Sequence, residues 1–245
     1  MNKAQKQLNK ESGRISSMFN GIAPHYDKLN HILSLNVDKY WRGVMVKFLK
    51  QEYNGGGTPR VLDLACGTGD SSIALCKKGM NVTGADIAQK MLDIAIAKND
   101  KINSKYSPLP DYILASAEDL PFEDSKFDAT TISFGIRNFN NRPLCLKEIY
   151  RVIKPGGVLA ILEFAKPKNA VIRFIYNLYF NNILPFIGRV VSKDKEAYKY
   201  LSDSVEAFPK YNAFCTEIKE AGFKDVKYKK LTFGICVLYT GKKQE

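Results

Sequence analysis

Between residues 59 and 164, short apolar runs alternate with amphipathic segments, and this alternation is the feature that most constrains the fold. Apolar runs bounded by turn residues are typical of buried strands, whereas apolar residues spaced three and four positions apart are typical of helices. Strands that alternate with helices pair in parallel, because a parallel crossover needs a dozen or more residues between its strands. The sequence therefore predicts an α/β fold with a doubly wound sheet.

The pattern places seven strands and the helices that connect them. The predicted strands are 60–65, 81–86, 112–115, 127–134, 158–164, 223–231 and 234–240, and the predicted helices are 39–50, 70–78, 88–98, 142–152 and 209–221. Too few residues separate the last two strands for a crossover, so we expect those two strands to pair antiparallel.

A break at 54–59 (NGGGTP) divides the chain, because consecutive glycines followed by proline favour a loop. We expect residues 1–58 to form an N-terminal helical cap and residues 59–245 to form the main domain. Within that domain, residues 165–205 interrupt the alternation of strands and helices. We predict that they form a helical lid insertion.

The composition indicates a folded intracellular protein. Of the 245 residues, 45% are hydrophobic and 25% are charged, which is typical of a globular chain and argues against disorder. No apolar stretch approaches the length of a membrane-spanning helix, and the polar start lacks the apolar core of a signal peptide. Five widely spaced cysteines and two histidines form no metal-binding pattern, so we expect no metal and reduced thiols in the cytoplasm.

The net charge of +12 comes from outside the centre of the chain. Residues 59–164 carry 13 basic and 13 acidic side chains, so the flanking segments hold the whole excess. A basic surface of this kind favours an anionic partner, either nucleic acid or a lipid headgroup surface. A solvated lysine-rich surface without a partner explains the charge equally well.

The segment VLDLACGTGD places Asp63 near the end of the first strand and two glycines in the turn that follows. Gly67 and Gly69 permit positive φ angles and let a ligand approach the backbone closely. In open α/β sheets the ligand binds beyond the carboxyl ends of the strands, so this turn is an expected pocket wall. Asp86 ends the second strand, where an acid can accept both hydroxyls of an adenosine ribose.

Two classes of cofactor use a glycine turn of this kind. A dinucleotide site favours G-x-G-x-x-G, but Ser72 stands here in place of the third glycine. Asp63 and Asp70 also put negative charge beside the turn, which would repel a pyrophosphate but suits a cationic sulfonium. The turn therefore favours S-adenosylmethionine over NAD.

The chain resembles class I S-adenosylmethionine-dependent methyltransferases, and among them the C-methyltransferases of quinone biosynthesis. The resemblance is carried by VLDLACGTGD, ADIAQKML, AEDLPFEDSKFDATTISFGIRN, YRVIKPGG and YKYLSDSVEAFP. It implies a seven-strand Rossmann-like sheet, S-adenosylmethionine as the cofactor, and methylation of a ring carbon of prenylated demethylmenaquinol. Methylation of a benzoquinol precursor of ubiquinone is the alternative that the resemblance leaves open.

The resemblance also implies which residues bind the cofactor. The expected cofactor-binding residues are Asp63, Gly67, Thr68, Gly69, Asp86, Ile87, Ser116, Ala117 and Ser133. Cys66 stands where many relatives have glycine, and Ser116 stands where many have asparagine. Without the resemblance, Ser133 is more readily interpreted as a serine that caps the end of a strand.

Methylation of a quinol carbon requires an ionised ring hydroxyl, because the phenolate directs electron density onto the adjacent carbon. A phenol such as tyrosine has a pKa of about 10, so ionising it at pH 7 costs about 4 kcal/mol. We expect Arg137 to stabilise the phenolate and Asn138 to orient the ring. Tyr26 and Asp27 are expected to close over the substrate, with His25 as a candidate base. A cap that starts a helix at residues 25–27 is the alternative.

Residues 170–182 combine a narrow polar stripe with a broad aromatic and apolar surface, and basic residues follow at 189, 193 and 195. A prenylated quinol lies in lipid, so this pattern favours docking on an anionic membrane surface. We therefore expect a cytoplasmic protein that binds peripherally to the inner face of the membrane. Ordinary core packing and a homodimer interface are the alternatives.

Two further functions fit the sequence less well. A nucleic-acid methyltransferase would explain the charge, but such enzymes carry a proline-proline-aromatic turn or a proline-cysteine nucleophile, and neither occurs here. We therefore expect no nucleic-acid partner. A non-catalytic partner subunit is disfavoured by the intact glycine turn and by Asp86.

Overall fold

The computed structural model describes residues 11–102, 106, 108–167, 169–178 and 195–245, together with most of their side chains. Its centre is a seven-stranded sheet with the order β3-β2-β1-β4-β5-β7-β6. The strands are β1 (Arg60–Leu64), β2 (Asn81–Asp86), β3 (Asp111–Leu114), β4 (Phe127–Ser133), β5 (Ile153–Phe164), β6 (Lys224–Leu231) and β7 (Cys236–Lys242).

Eight α-helices surround the sheet within the described part of the chain. They are α1 (Ser12–Leu33), α2 (Val37–Glu52), α3 (Asp70–Cys76), α4 (Gln89–Asn99), α5 (Arg142–Val152), α6 (Ala170–Leu178), α7 (Lys195–Ala207) and α8 (Asn212–Glu220). None of the described helices combines the length and the apolar character that crossing a bilayer requires.

Strands β1 to β5 pair in parallel, and β7 pairs antiparallel with both β5 and β6. The predicted fold class, a doubly wound sheet with an antiparallel pair at its carboxyl-terminal end, is confirmed. The strand β7 begins two residues later than predicted, because a 3₁₀ turn over Thr232–Gly234 separates it from β6. In that turn Phe233 takes a positive φ of 56°.

The two faces of the sheet bury separate apolar cores. In β1, Leu62 and Leu64 contact one core together with α5 and α8, whereas Val61 contacts the other core, as the two-residue period of a strand requires. Helix α2 contributes Trp41 and Met45 to that second core, beside α3. The helix predicted to belong to the N-terminal cap therefore packs directly on the sheet.

The strand order reverses between β1 and β4, and this switch point defines where a ligand can enter. In doubly wound sheets the crevice lies at the carboxyl ends of the strands on either side of such a reversal. The turn from β1 to α3 crosses this crevice with positive φ angles at Ala65 (53°), Gly67 (54°) and Gly69 (80°). A Cβ on Gly69 would lie only 3.0 Å from the Tyr112 ring carbon Cζ and 3.0 Å from Cβ of Ala95.

We expect Gly69→Ala to destabilise this turn, since a side chain at a left-handed residue costs about 1–2 kcal/mol and the new methyl group would also collide with Tyr112. Thermal unfolding should show a lower midpoint than in the wild type. The same substitution at Gly56, where nothing lies within 4 Å of the added Cβ and φ is not positive, is the control. Equal midpoints for Gly69→Ala and Gly56→Ala would contradict the strain assigned to this turn.

Candidate functional site

A cavity with about 720 Å³ of empty volume lies at the carboxyl ends of β1, β2, β3 and β4, beneath helix α1. The predicted site residues that line it are Tyr26, Gly67, Asp86, Ile87, Ser116, Ala117, Ser133 and Asn138. Sequence reasoning missed other residues of the lining, among them Phe19, Glu118, Phe134 and Phe139.

Four predicted residues lie close to the cavity without lining it: Asp63, Thr68, Gly69 and Arg137. Their direct contact with a ligand stays a prediction, and their observed partners are described below. The side chain of His25 lies outside the described part of the structure, so its role as a base also stays a prediction.

Asp86 holds the floor of the cavity together. Its carboxylate accepts hydrogen bonds from the backbone N–H of Gly67 at 2.8 Å and of Ala88 at 2.9 Å. It therefore joins the end of β2 to the turn after β1 and to the start of α4. Burial raises the pKa of Asp86. Since each carboxylate oxygen has two lone pairs, both oxygens retain capacity for ligand hydroxyls.

Asp63 is fully buried and supports the site from within the sheet. Its carboxylate accepts hydrogen bonds from the hydroxyls of Ser72 on α3 at 2.6 Å and of Thr131 on β4 at 2.9 Å. The residue that replaces the third glycine of a dinucleotide motif thus anchors α3 to the central strand. Burial raises the pKa of Asp63 to about 6, although the two hydroxyls act in the opposite direction.

The raised pKa of Asp63 makes the stability of the protein depend on pH. Between about pH 4 and pH 6 the folded state holds a proton that the unfolded state has lost, so the free energy of unfolding falls as the pH rises. A difference of about two pKa units corresponds to about 3 kcal/mol lost by pH 7. We expect Asp63→Asn to flatten this fall in chemical denaturation measured from pH 4 to pH 7.

Asp111→Asn, at an exposed residue at the start of β3, is the matched control and should keep the wild-type dependence. If Asp63→Asn and Asp111→Asn show the same slope against pH, the assignment of the titrating group to Asp63 fails.

Helix α1 is fastened over the site by polar contacts from its middle turn. The hydroxyl of Thr68 donates to Asp27, and Lys98 on α4 bridges Asp27 at 2.7 Å and Asp70 at 2.6 Å. His31 continues the contact, with its two ring nitrogens 3.0 Å from Asp38 and 3.5 Å from Asp70. Thr68 therefore connects the cap to the glycine turn.

The group formed by His31, Asp38 and Asp70 has the composition of a metal site, with ligand atoms within 4.8 Å of one another. Cations of the protein already face its carboxylates: Arg42 pairs with Asp38, and Lys98 pairs with Asp70. We interpret the group as a structural ion-pair network. Arg42 also donates to the hydroxyl of Ser71 at 3.1 Å, which in turn donates to Ser133 at 2.8 Å, so the network reaches the cavity wall.

Arg137 forms a buried ion pair behind the cavity. Its Nη1 donates to Oε1 of Glu163 at 2.9 Å and to the carbonyl oxygen of Phe134. Its backbone N–H donates to the other oxygen of Glu163 at 3.2 Å, and the guanidinium lies 5.6 Å from the ring centre of Phe164. Because Glu163 is completely buried, this pair fixes Arg137 in one orientation.

Aromatic rings form the upper wall of the cavity. Phe19 and Tyr26 of α1 meet edge to face with ring centres 6.0 Å apart, and Phe134 stacks on Phe164 at 4.4 Å. Phe134 follows β4 with a positive φ of 61°, which is rare for a bulky residue and turns the chain into the 3₁₀ turn Ile136–Asn138. Burial raises the pKa of Tyr26, so its hydroxyl stays protonated at neutral pH.

The fold and the cavity together define a class of protein. A chain of the complex between the Haloferax volcanii Trm112 methyltransferase activator and a methyltransferase is similar in structure, with a TM-score of 0.64 at 17% identity over 93% of this chain and 98% of that one. An S-adenosylmethionine-dependent methyltransferase from Thermotoga maritima has a TM-score of 0.61 at 18% identity over 94% and 100% of the two chains. This protein therefore has the Rossmann-like methyltransferase fold.

The sequence identifies the family within that class. Residues 6–243 match the ubiE/COQ5 methyltransferase family, and the chain belongs to it. It is 41% identical over 235 residues to the demethylmenaquinone methyltransferase of Chlorobaculum tepidum, covering 96% of this chain and 94% of that protein. It is also 36% identical to the mitochondrial 2-methoxy-6-polyprenyl-1,4-benzoquinol methylase of Caenorhabditis elegans, covering 94% and 80%.

Proposed function

We propose that this protein transfers a methyl group from S-adenosylmethionine to a ring carbon of a prenylated demethylmenaquinol. The observation that carries the proposal is the cavity at the switch point, with Asp86 at one side and an aromatic wall leading to Asn138 at the other. Membership of a methyltransferase family supports the reaction type. The corresponding methylation of a benzoquinol is the second candidate, because relatives named for either substrate cover most of the chain.

The residues of the cavity fit S-adenosylmethionine. Asp86 offers carboxylate oxygens for ribose hydroxyls, and the backbone of Gly67 lies beside it without a side chain. Ala117 leaves room for a flat ring beyond the end of β3, and Ile87 adds an apolar surface. Thr68 and Asp63 would support the cofactor indirectly, by fixing the glycine turn. Thr68 bonds to Asp27 on α1, and Asp63 bonds to Ser72 on α3. When bound, S-adenosylmethionine supplies an electrophilic methyl group.

The substrate end of the cavity has the groups that a reacting quinol needs. A bond would form between the ring carbon and the methyl group as the methyl–sulfur bond breaks, and the ring carbon would then lose its proton to water. A hydroxyl of the quinol must ionise first, because the phenolate directs electron density onto that carbon. Asn138 and Tyr26 both line the cavity and can donate hydrogen bonds to the resulting phenolate. Holding two reactants in line contributes about 7–11 kcal/mol to lowering such a barrier.

Arg137 acts on this site from behind the cavity wall. Its charge is partly balanced by Glu163, so it offers a fixed dipole in a low-dielectric interior rather than a free cation. Such a dipole stabilises a developing negative charge without reorganising during the reaction. Deleting the arginine alone would leave Glu163 buried without its cation, which costs about 3–5 kcal/mol of stability.

The reaction is tested with purified protein and methyl-labelled S-adenosylmethionine. Separate incubations contain chemically reduced demethylmenaquinol, the reduced benzoquinol precursor, or total RNA. We expect label in the naphthoquinol fraction. Label in the benzoquinol alone would support the second candidate, and label in RNA alone would overturn the proposal.

Asp86 provides the test of the cofactor site. Asp86→Asn keeps the size of the side chain but removes its charge, and hydrogen bonds to charged groups contribute about 1.5–3 kcal/mol each. We expect the affinity for S-adenosylmethionine, measured by calorimetry, to fall at least about tenfold. The control is Asp93→Asn on the exposed surface of α4. An unchanged affinity in Asp86→Asn, with the unfolding midpoint preserved, would contradict the assignment.

We further propose that the protein works at the cytoplasmic face of a membrane. Helix α6, at the start of the predicted lid, exposes Val171 (68%), Phe174 (71%) and Leu178 (51%) beside the exposed Arg173. Apolar side chains of this kind can enter the headgroup region, while cations attract anionic lipid. The predicted docking surface also includes residues 179–182 and the basic positions 189 and 193. These residues lie outside the described part of the chain. The side chain of Lys195 lies outside it as well.

The five cysteines support a reducing compartment, because all five are buried and unpaired with one another. The basic charge of the chain, +12, likewise suits an anionic bilayer.

Membrane docking is tested by flotation with phosphatidylglycerol vesicles at low salt. We expect the wild type to float and Val171→Ser/Phe174→Ser to remain largely in the soluble fraction, because the helix loses its exposed apolar anchors. Ile96→Ser, at a half-exposed residue on α4, is the control and should float like the wild type. If the wild type does not float, or if the double variant floats equally well, α6 is not the docking element.

A further inference from the structure

Helix α7 places one tyrosine hydroxyl against the reaction end of the cavity. The hydroxyl of Tyr200 donates a hydrogen bond to Oδ1 of Asn138 at 3.1 Å. The two residues are 62 positions apart in sequence, and α7 packs directly on the 3₁₀ turn that carries Asn138. Both side chains are largely shielded from solvent. This contact therefore joins the last helix of the predicted lid insertion to a residue that lines the cavity.

The hydrogen bond decides which end of the amide the cavity meets. An asparagine side chain has one carbonyl oxygen that accepts and one NH₂ group that donates two hydrogen bonds. Because the oxygen of Asn138 faces Tyr200, the NH₂ group on the opposite side of the amide is the end available to the cavity. The backbone N–H of Asn138 bonds to the carbonyl of Gly135 at 2.9 Å, which fixes the main chain beneath the amide.

We propose that Tyr200 is a positioning residue that holds the amide of Asn138 with its N–H group towards the reacting oxygen of the quinol. A rotated amide would present its carbonyl oxygen to a phenolate, and two acceptors would then repel each other. The inference rests on the proposed function, because it assigns a role in stabilising the ionised quinol. It adds to that function a residue that does not line the cavity.

The ionisable groups around this contact favour a donor at position 200. Burial raises the pKa of Tyr200, and Arg14, Arg137 and Glu163 are its charged neighbours. The hydroxyl therefore stays protonated near neutral pH and donates to the amide oxygen that it faces. Across the cavity the further ionisable groups are Tyr26, Asp86, Glu118 and Cys145. The carboxylates of Asp86 and Glu118 make an N–H donor beside the phenolate all the more important.

The test is Tyr200→Phe, which removes only the hydroxyl. We expect kcat at pH 7 to fall about 3- to 10-fold, as the loss of one hydrogen bond implies, with an unchanged affinity for S-adenosylmethionine. Because the lost contact stabilises the phenolate, the rise of kcat with pH should move to higher pH, by about half a unit or more. The difference from the wild type should therefore shrink in alkaline buffer, which a purely structural defect would not produce.

A double-mutant cycle shows whether Tyr200 acts through Asn138. In an Asn138→Ala background, adding Tyr200→Phe should have no further effect on kcat. Tyr228→Phe is the matched control, because Tyr228 is a half-buried tyrosine on β6 whose ring packs on Tyr211, far along the sheet from the cavity. It should keep the wild-type rate and pH profile.

The inference is overturned if Tyr200→Phe keeps the wild-type kcat and pH profile, or if its effect persists undiminished in Asn138→Ala. It is also overturned if the loss is the same at every pH, since the hydroxyl would then serve only the packing of α7. Failure of the proposed function is a separate result, because the wild type itself would then not methylate a quinol.

Discussion

The carboxylate of Asp86 is the interaction on which the rest of the site depends. By accepting the backbone N–H groups of Gly67 and Ala88, it ties the glycine turn and the start of α4 to the end of β2. Two segments that follow different strands thereby form one wall. The same carboxylate is partly buried beside the cavity, where a hydrogen-bond acceptor is stronger than in water because the local dielectric constant is lower. The side chain that supports the wall is therefore the one that we propose binds the cofactor.

Further buried polar contacts fix the position of this wall relative to the end of the cavity that Asn138 lines. Asp63 binds the hydroxyls of Ser72 and Thr131, so α3 and β4 cannot shift independently of β1. The ion pair of Arg137 and Glu163 performs the same task beyond β4, where it fixes the turn that presents Asn138. The proposed methyl transfer depends on the distance and orientation between the methyl group and the ring carbon. These buried polar contacts fix the residues that would set both.

The sequence predicts the parts of this structure that depend on local patterns. The two-residue and three-to-four-residue periods locate every strand and most helices, and the position of Asp86 at a strand end places it correctly in the cavity wall. The position of β7 between β5 and β6 cannot be predicted from these patterns. A local pattern shows where a strand lies in the sequence but not which other strands it pairs with. The contact of Asp63 with the cofactor stays a prediction, and its hydrogen bonds to Ser72 and Thr131 could not be predicted from the motif.

Contacts between residues that are distant in sequence are equally impossible to predict from local patterns. Glu163 lies 26 positions from Arg137, and nothing in the local pattern around either residue indicates the pair. The hydrogen bond of Tyr200 to Asn138 depends on how the last helix of the predicted lid insertion packs on the turn after β4. Sequence patterns locate chemically capable residues, but the tertiary fold decides which of them face a ligand and which hold the others in place.

The most direct measurement is complementation followed by mass spectrometry of extracted quinones. A bacterial strain that lacks its own demethylmenaquinol methyltransferase would receive this chain on a plasmid, with an empty plasmid as the reference. The account predicts that the methylated menaquinone returns and that the accumulated demethylmenaquinone disappears. If the chain is expressed and folded but only demethylmenaquinone is recovered, the central claim that this cavity methylates a naphthoquinol is contradicted.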